Sequence, residues 1–148
     1  MPERRRLNPG ADAFAETAIR PIVAATRVVD GTALDETAPF AEILPPPTKA
    51  NRSREGETFL FLFNPTSGEL TPLCHELRDI VRQTYWSASG SVTASLRRSI
   101  SIANRYLFEH NLNADRSKRC YGSVACAILR GRDLFLLQTG PVWSCVLQ

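Results

Sequence analysis

The sequence predicts an α/β domain of the α+β kind, with an antiparallel sheet and two adjacent long helices over one face. Three observations predict it. Thr58 to Phe63 is an apolar run of strand length. Two segments follow it whose apolar residues recur at helical spacing, and then two apolar stretches joined by the tight turn Arg130-Gly131-Arg132. Helices adjacent in sequence, with no strand between them, lie side by side on one layer. A short hairpin turn makes the strands it joins antiparallel.

The chain of 148 residues supplies one domain, a size that buries about 70% of its unfolded surface. Its two parts read differently. Residues 1–57 are punctuated by Pro2, Pro9, Pro21, Pro39 and Pro45-Pro46-Pro47 and are expected to be partly disordered. Within them, Ile22 to Val29 is rich in Val, Ala and Thr and predicts a strand ended by the turn pair Asp30-Gly31. Residues 35–57 predict a long polar loop, with polyproline geometry at Pro45-Pro46-Pro47, ending at Arg54-Glu55-Gly56-Glu57.

Residues 58–148 predict the folded core. Thr58 to Phe63 is apolar on both faces and so predicts a central strand covered on both sides. Asn64-Pro65-Thr66-Ser67-Gly68 predicts a turn. Leu70, Leu73, Cys74, Leu77, Ile80 and Val81, with Tyr85, mark an amphipathic helix over 69–86. Ser87 to Gly90 breaks it, and Ser91 is placed to cap a second helix. The stripe of that helix is Val92, Leu96, Ile100, Ala103 and Leu107, and it runs to Asn111–Asn113. A charged loop, Asp115 to Arg119, leads to strands over Tyr121–Leu129 and Asp133–Thr139. Gly140-Pro141 turns the chain again, and Val142–Leu147 predicts the start of a further strand whose partner is missing. The chain therefore reads as one incomplete domain, a fragment or a shortened gene product.

Composition narrows the function classes. A hydrophobic share of 43% and a charged share of 22% are those of a globular protein. The net charge is +3, and only Lys49 and Lys118 of the 18 basic residues are lysines. The arginines are scattered, and the single run, Arg4-Arg5-Arg6, reads as a solvated terminus rather than a contact for nucleic acid or membrane. The longest apolar runs fall far short of the roughly 20 residues that cross a bilayer. Residues after Arg6 form a turn rather than a leader's apolar core, so a cytoplasmic location is expected. Cys74, Cys120, Cys126 and Cys145 contain no paired metal-binding motif, and Cys126 and Cys145 read as small buried hydrophobes. His75 and His110 read as surface or helix-end residues, and Trp86 and Trp143 as core or helix-end anchors. Phe59, Phe61, Phe63 and Phe135 lie in strands that read as buried, leaving no aromatic platform for stacking bases. No nucleophile elbow or phosphate-binding glycine loop is present.

From Thr58 onward the order of elements and several residues resemble the type 2C (PPM) metal-dependent serine/threonine phosphatases. The resemblance rests on Leu96-x-x-x-Ile100-x-x-Ala103-Asn104-x-x-Leu107, on Gly122-Ser123-Val124, and on a hairpin followed by Gly140-Pro141-Val142-Trp143. It spans about 90 residues and implies part of an α-β-β-α sandwich. It also implies chemistry: two magnesium or manganese ions bridging a water that attacks a phosphoserine or phosphothreonine. Two dications about 4 Å apart repel by roughly 17 kcal/mol at an effective dielectric of about 20. Only clustered carboxylates offset that, which is why the family places aspartates at these turns.

This chain departs from the pattern at each matched turn. Asn64 stands where an aspartate is expected, Pro65 where a glycine carbonyl binds metal, and Pro141 where the later aspartate lies. The nearest early acidic pair, Asp35-Glu36, has no alignment to the family's first signature. The resemblance thus implies a phosphatase-like domain without catalysis and without a bound metal, retained for binding a protein partner or for regulation. The alternative is a fragment of an active Mg- or Mn-dependent phosphatase. A third reading is an unrelated α/β interaction module, which helices on both faces of a parallel sheet would mark. A lone half of the sandwich is expected to self-associate through an exposed sheet face carrying residues such as Phe59, Phe61 or Phe63.

Overall fold

The computed structural model describes residues 21–24, 26–34, 41–65 and 72–147. The readings for Arg4–Arg6, Asp35-Glu36, Thr66–Gly68 and the first residues of the first helix lie outside them.

The predicted strand over 22–29 contracts to β1, Arg27–Val29, which pairs with β2, Thr32–Leu34, as a separate hairpin. Asp30 and Gly31 both take positive φ, at 50° and 79°. A two-residue turn of that hand matches strand twist and admits few residues other than Asp, Asn and Gly. The sequence-predicted long loop is also interrupted. Ala41–Ile43 forms β3, which pairs antiparallel with β4, Glu57–Pro65. The pairing is extended by the Leu44 N–H, which donates to the Phe59 carbonyl at 2.8 Å. Three residues flanked by prolines give too short a period to be recognised in sequence.

Two helices follow, α1 over Pro72–Ser87 and α2 over Val92–Asn113. Ser91 caps α2, its hydroxyl accepting the Ala94 N–H at 3.2 Å. Strands β5, Gly122–Arg130, and β6, Asp133–Thr139, complete a four-stranded antiparallel sheet in the order β3-β4-β5-β6. The architecture is the α+β arrangement expected: one antiparallel sheet with a two-helix layer. The predicted strand over 142–147 does not form. Trp143 and Leu147 are 94% and 90% exposed, and Cys145 is exposed too, so neither Trp143 nor Cys145 has the buried role expected of it.

Strand period decides which face is buried. Phe59, Phe61 and Phe63 alternate toward the helices and are buried with Leu73, Leu77, Val81, Trp86 and Leu96. The phenylalanines are therefore not on the uncovered face. The rings of Phe59 and Tyr85 meet edge to face at 4.7 Å between centroids, and Tyr85 and Trp86 at 5.5 Å. Residues opposite them across the ladder, Val124, Cys126 and Ile128, share that side. The other face of β4, with Leu60 and Leu62, is half-buried, with Val23, Ala24, Thr26 and Ser144 lining a groove beside it, so among the described residues the helices cover one side of the apolar run only.

A charged group lies inside the core. Arg54, at the end of a single 3-10 turn, is 2% exposed. Its Nε donates to the Ala88 carbonyl at 3.1 Å, and Nη1 to both Glu57 carboxylate oxygens at 3.3 and 3.2 Å and to the Tyr85 hydroxyl at 3.0 Å. Nη2 reaches the Gly90 carbonyl at 3.4 Å and makes a short contact to Ser95 Oγ. The guanidinium also sits 4.4 Å from the centre of the Tyr85 ring. The Tyr85 hydroxyl in turn donates to Glu57 Oε2 at 2.6 Å. One side chain thus ties the entry to β4, the end of α1, the inter-helix corner and the first turns of α2. A buried carboxylate left without its cation costs several kcal/mol.

Two outcomes follow. Arg54→Ala is expected to lower the unfolding free energy by about 3–5 kcal/mol, measured by urea denaturation, because it removes the buried cation from Glu57 and leaves only the Tyr85 hydroxyl and the half-exposed Arg130, at 3.6 Å, to balance that carboxylate. The second concerns alkaline pH. Burial, and then the Glu57 carboxylate that accepts its proton, hold the Tyr85 phenol above the ordinary tyrosine range. Burial pushes the Cys126 thiol up to about 12. Both groups are neutral when folded and ionise more readily when unfolded. Their stabilising contribution is complete below the unfolded values, about 8.5 for cysteine and about 10 for tyrosine, and is lost as pH rises beyond them. Urea midpoints from pH 8 to 11 should fall, and Tyr85→Phe should flatten the fall above pH 10.

Candidate functional site

Strand register gathers the residues singled out in sequence. Asn64 pairs with Ser123 and Pro65 with Gly122, at the end of β4 and the start of β5. On the other side of β5, Val124 pairs with Thr139, which brings Gly140-Pro141 alongside Ser123. A Cβ built on Gly140 would lie 2.8 Å from the Ser123 Cβ. Asn64, Pro65 and Pro141 thus meet at one end of the sheet, although Asn64 and Pro141 are 77 positions apart in the numbering (141 − 64). Asn64 and Pro141 are exposed, and Pro65 is half-buried. Contrary to the predicted turn, Asn64 and Pro65 still belong to the strand. Beyond β6 the chain reverses tightly, with the Val142 N–H donating to the Gly140 carbonyl at 2.9 Å.

Among the described residues the donor set at this end is neutral. It offers the Asn64 amide, the Ser123 hydroxyl and main-chain carbonyls. Hard dications take such oxygens as supplements to carboxylates, and a pair of them needs the negative charge. Among the described residues no group of three or more His, Cys, Asp or Glu side chains could hold a metal ion. The residues here do not fit a two-ion centre. Cys74-His75 does not supply one elsewhere, since Cys74 is buried in the core and His75 faces outward. His110 is likewise on the outer face of α2.

Gly122 is fixed by packing. A Cβ there would lie 2.5 Å from Phe63 Cε2 and 2.9 Å from the Asn64 carbonyl oxygen. The Phe63 ring crosses directly over the bare backbone, which sets the pairing of β4 and β5 at the site. Near it, Asn111 at the end of α2 grips the chain entering β5. Its amide nitrogen donates to the Cys120 carbonyl at 2.7 Å, and its oxygen accepts the Cys120 N–H at 2.9 Å. Neither contact was legible in sequence beyond the presence of asparagine near a helix end.

Gly122→Ala is expected to destabilise by about 1–3 kcal/mol, the cost of overfilling a packed site. Differential scanning calorimetry would register it as a lowered Tm, while Gly131→Ala, with open space around its Cβ, would report only the backbone cost of its turn. Comparison with protein-family models, curated proteins and solved structures returns no match.

Proposed function

We propose that this chain is a non-catalytic, phosphatase-like binding module that acts through the uncovered face of its sheet. The single observation that carries the first half is the convergence of Asn64, Pro65 and Pro141 at one sheet end with no carboxylate among them. Site geometry is kept and site charge is gone. A water needs that charge-balanced ion pair beside it to become a nucleophile near neutral pH. With it absent, the remaining amide, hydroxyl and carbonyl groups supply no general base of useful basicity.

The second half rests on the open face. By register it carries Ala41, Ile43, Leu60, Leu62, Ala125, Ala127, Leu129, Leu134 and Leu136, with Thr58 and Gln138 as polar members toward its margins. No charge interrupts it along these strands. A groove of about 360 Å³ crosses it, bordered by Val23 and Ala24 on one side and Ser144 on the other. Contiguous apolar patches of this kind mark association surfaces. We take the occupant to be a second copy of the chain. Glu42 is the one charged residue among those lining the groove, and it is paired with Arg78 at 3.3 Å, so the face meets little like-charge penalty against itself, and an isologous pair satisfies both copies at once. The reading takes the chain as cytoplasmic, a setting that keeps its four free thiols reduced. Among the described residues no helix is long and apolar enough to cross a membrane.

The alternative, part of a working Mg- or Mn-dependent phosphatase, is favoured by the same meeting of strand ends. Hydrolysis of p-nitrophenyl phosphate by the purified chain in millimolar manganese separates the two. No turnover above the manganese blank is expected, and clear turnover would favour the alternative. For the open face, sedimentation equilibrium at micromolar concentration should show a dimer that Leu62→Arg or Leu136→Arg converts to monomer. A monodisperse wild-type monomer would remove the second half of the reading.

A further inference from the structure

Charge is unevenly distributed over the helix layer. Where the Pro47–Lys49 stretch meets the end of α1 and the middle of α2 lies a groove of about 790 Å³. Lys49 and Arg98 line it, with the hydroxyls of Thr48, Thr84 and Ser89, and no acidic side chain lines it among the described residues. Both cations are exposed, and neither is held by a hydrogen bond or ion pair to a described residue. Two cations of α1 are engaged. Arg78 pairs with Asp79 at 3.0 Å and with Glu42 at 3.3 Å, and Arg82 donates to the Pro45 carbonyl at 2.7 Å.

The end of a helix ordinarily repels anions, because its last carbonyls carry partial negative charge. Here those carbonyls are occupied. The Trp86 carbonyl accepts the Asn51 N–H at 2.8 Å, and the Tyr85 carbonyl accepts the Ala88 N–H at 3.2 Å. The Ala88 and Gly90 carbonyls both accept from the Arg54 guanidinium, at 3.1 and 3.4 Å. The carbonyls at this corner are thus occupied by donors, the guanidinium among them being itself balanced by Glu57.

We infer that this groove binds a phosphate monoester, with Lys49 and Arg98 balancing its charge and the hydroxyls of Thr48, Thr84 and Ser89 serving its oxygens. A monoester carries a charge of about −2 and three acceptor oxygens, which suits two cations and several neutral donors. A carboxylate brings one charge and two oxygens and would leave a cation unused. The groove volume falls in the range of small-ligand sites, roughly 300–1,000 Å³. The apolar side chains of Pro47 and Ile102 line the same groove and suit the carbon portion that bears the phosphate. The site is independent of the sheet end and of the open face, so its fate does not turn on either.

The test is an NMR titration of the ¹⁵N-labelled chain with inorganic phosphate, O-phospho-L-serine, a phosphoserine peptide and the same peptide unphosphorylated. Saturable shifts at the amides of Lys49, Ser89 and Arg98 are expected from the phosphorylated probes, and none from the bare peptide. Lys49→Glu with Arg98→Glu should weaken binding at least about tenfold, and the neutral pair Lys49→Gln with Arg98→Gln by a smaller factor. Arg132→Glu makes one charge reversal in the exposed β5–β6 turn and should change affinity by less than about twofold. Tighter binding of the phosphopeptide than of phosphate or phosphoserine would identify a peptide source, and equal binding a small anion. The inference is overturned if no phosphorylated probe gives saturable shifts in the groove. It is overturned equally if Arg132→Glu weakens binding as much as the groove variants do, since attraction would then be diffuse.

Discussion

A guanidinium enclosed on all sides organises this domain. Arg54 cannot shed its proton, so the fold must supply acceptors for its donors or forgo burying it. It supplies Glu57, the Tyr85 hydroxyl, Ser95 and two carbonyls of the inter-helix corner. Each acceptor comes from a different part of the chain, so their simultaneous placement defines how the loop, sheet and helices sit together. Apolar contacts among Phe59, Val81, Leu96 and Ile128 tolerate small slippage. A charge network with short, directional bonds does not, and this gives the otherwise apolar core a unique register. Tyr85 belongs to both systems, with its ring against Phe59 and its hydroxyl in the network.

Much of this architecture was legible in the residues. Helical period placed α1 and α2, Ser91 announced its cap, and Arg130-Gly131-Arg132 announced the hairpin, because each signal is local. What failed was non-local. Arg54 and Glu57 looked like polar loop residues, since nothing within a few positions reveals that Tyr85 and Ser95 will surround them. β3 escaped notice because three residues between prolines carry no period. The apolar run at 58–63 read as doubly covered, but hydrophobicity on both faces records only what each side chain prefers. The contents of the opposite layer decide what it obtains, and here one face meets helices and the other does not. Trp143 and Cys145 show the same limit, being apolar by type yet unburied for want of a neighbour.

The candidate site was legible in identity and only partly in place. Asn64 and Pro141 were identifiable as neutral residues from the local motif alone. That they lie at one sheet end follows from antiparallel register, which fixes every pair once the turn at Gly131 and the contact at Gly122 are set. Lys49 and Arg98 carried no motif at all. They are separated in sequence by β4, the whole of α1 and the first turns of α2, and line one groove beside the inter-helix corner. The neutral sheet end and the groove carrying Lys49 and Arg98 therefore occupy different regions of the same small domain.

Gly122 sets a boundary on how this sheet end could change over evolutionary time. With the Phe63 ring resting on it, the position is closed to every side chain, acidic ones included. Negative charge introduced at this end would have to come from exposed neighbours such as Asn64 and Pro141, where a carboxylate meets solvent instead of an aromatic ring. The residue that aligns the strands is thus separate from the positions at this end that are open to a charged side chain.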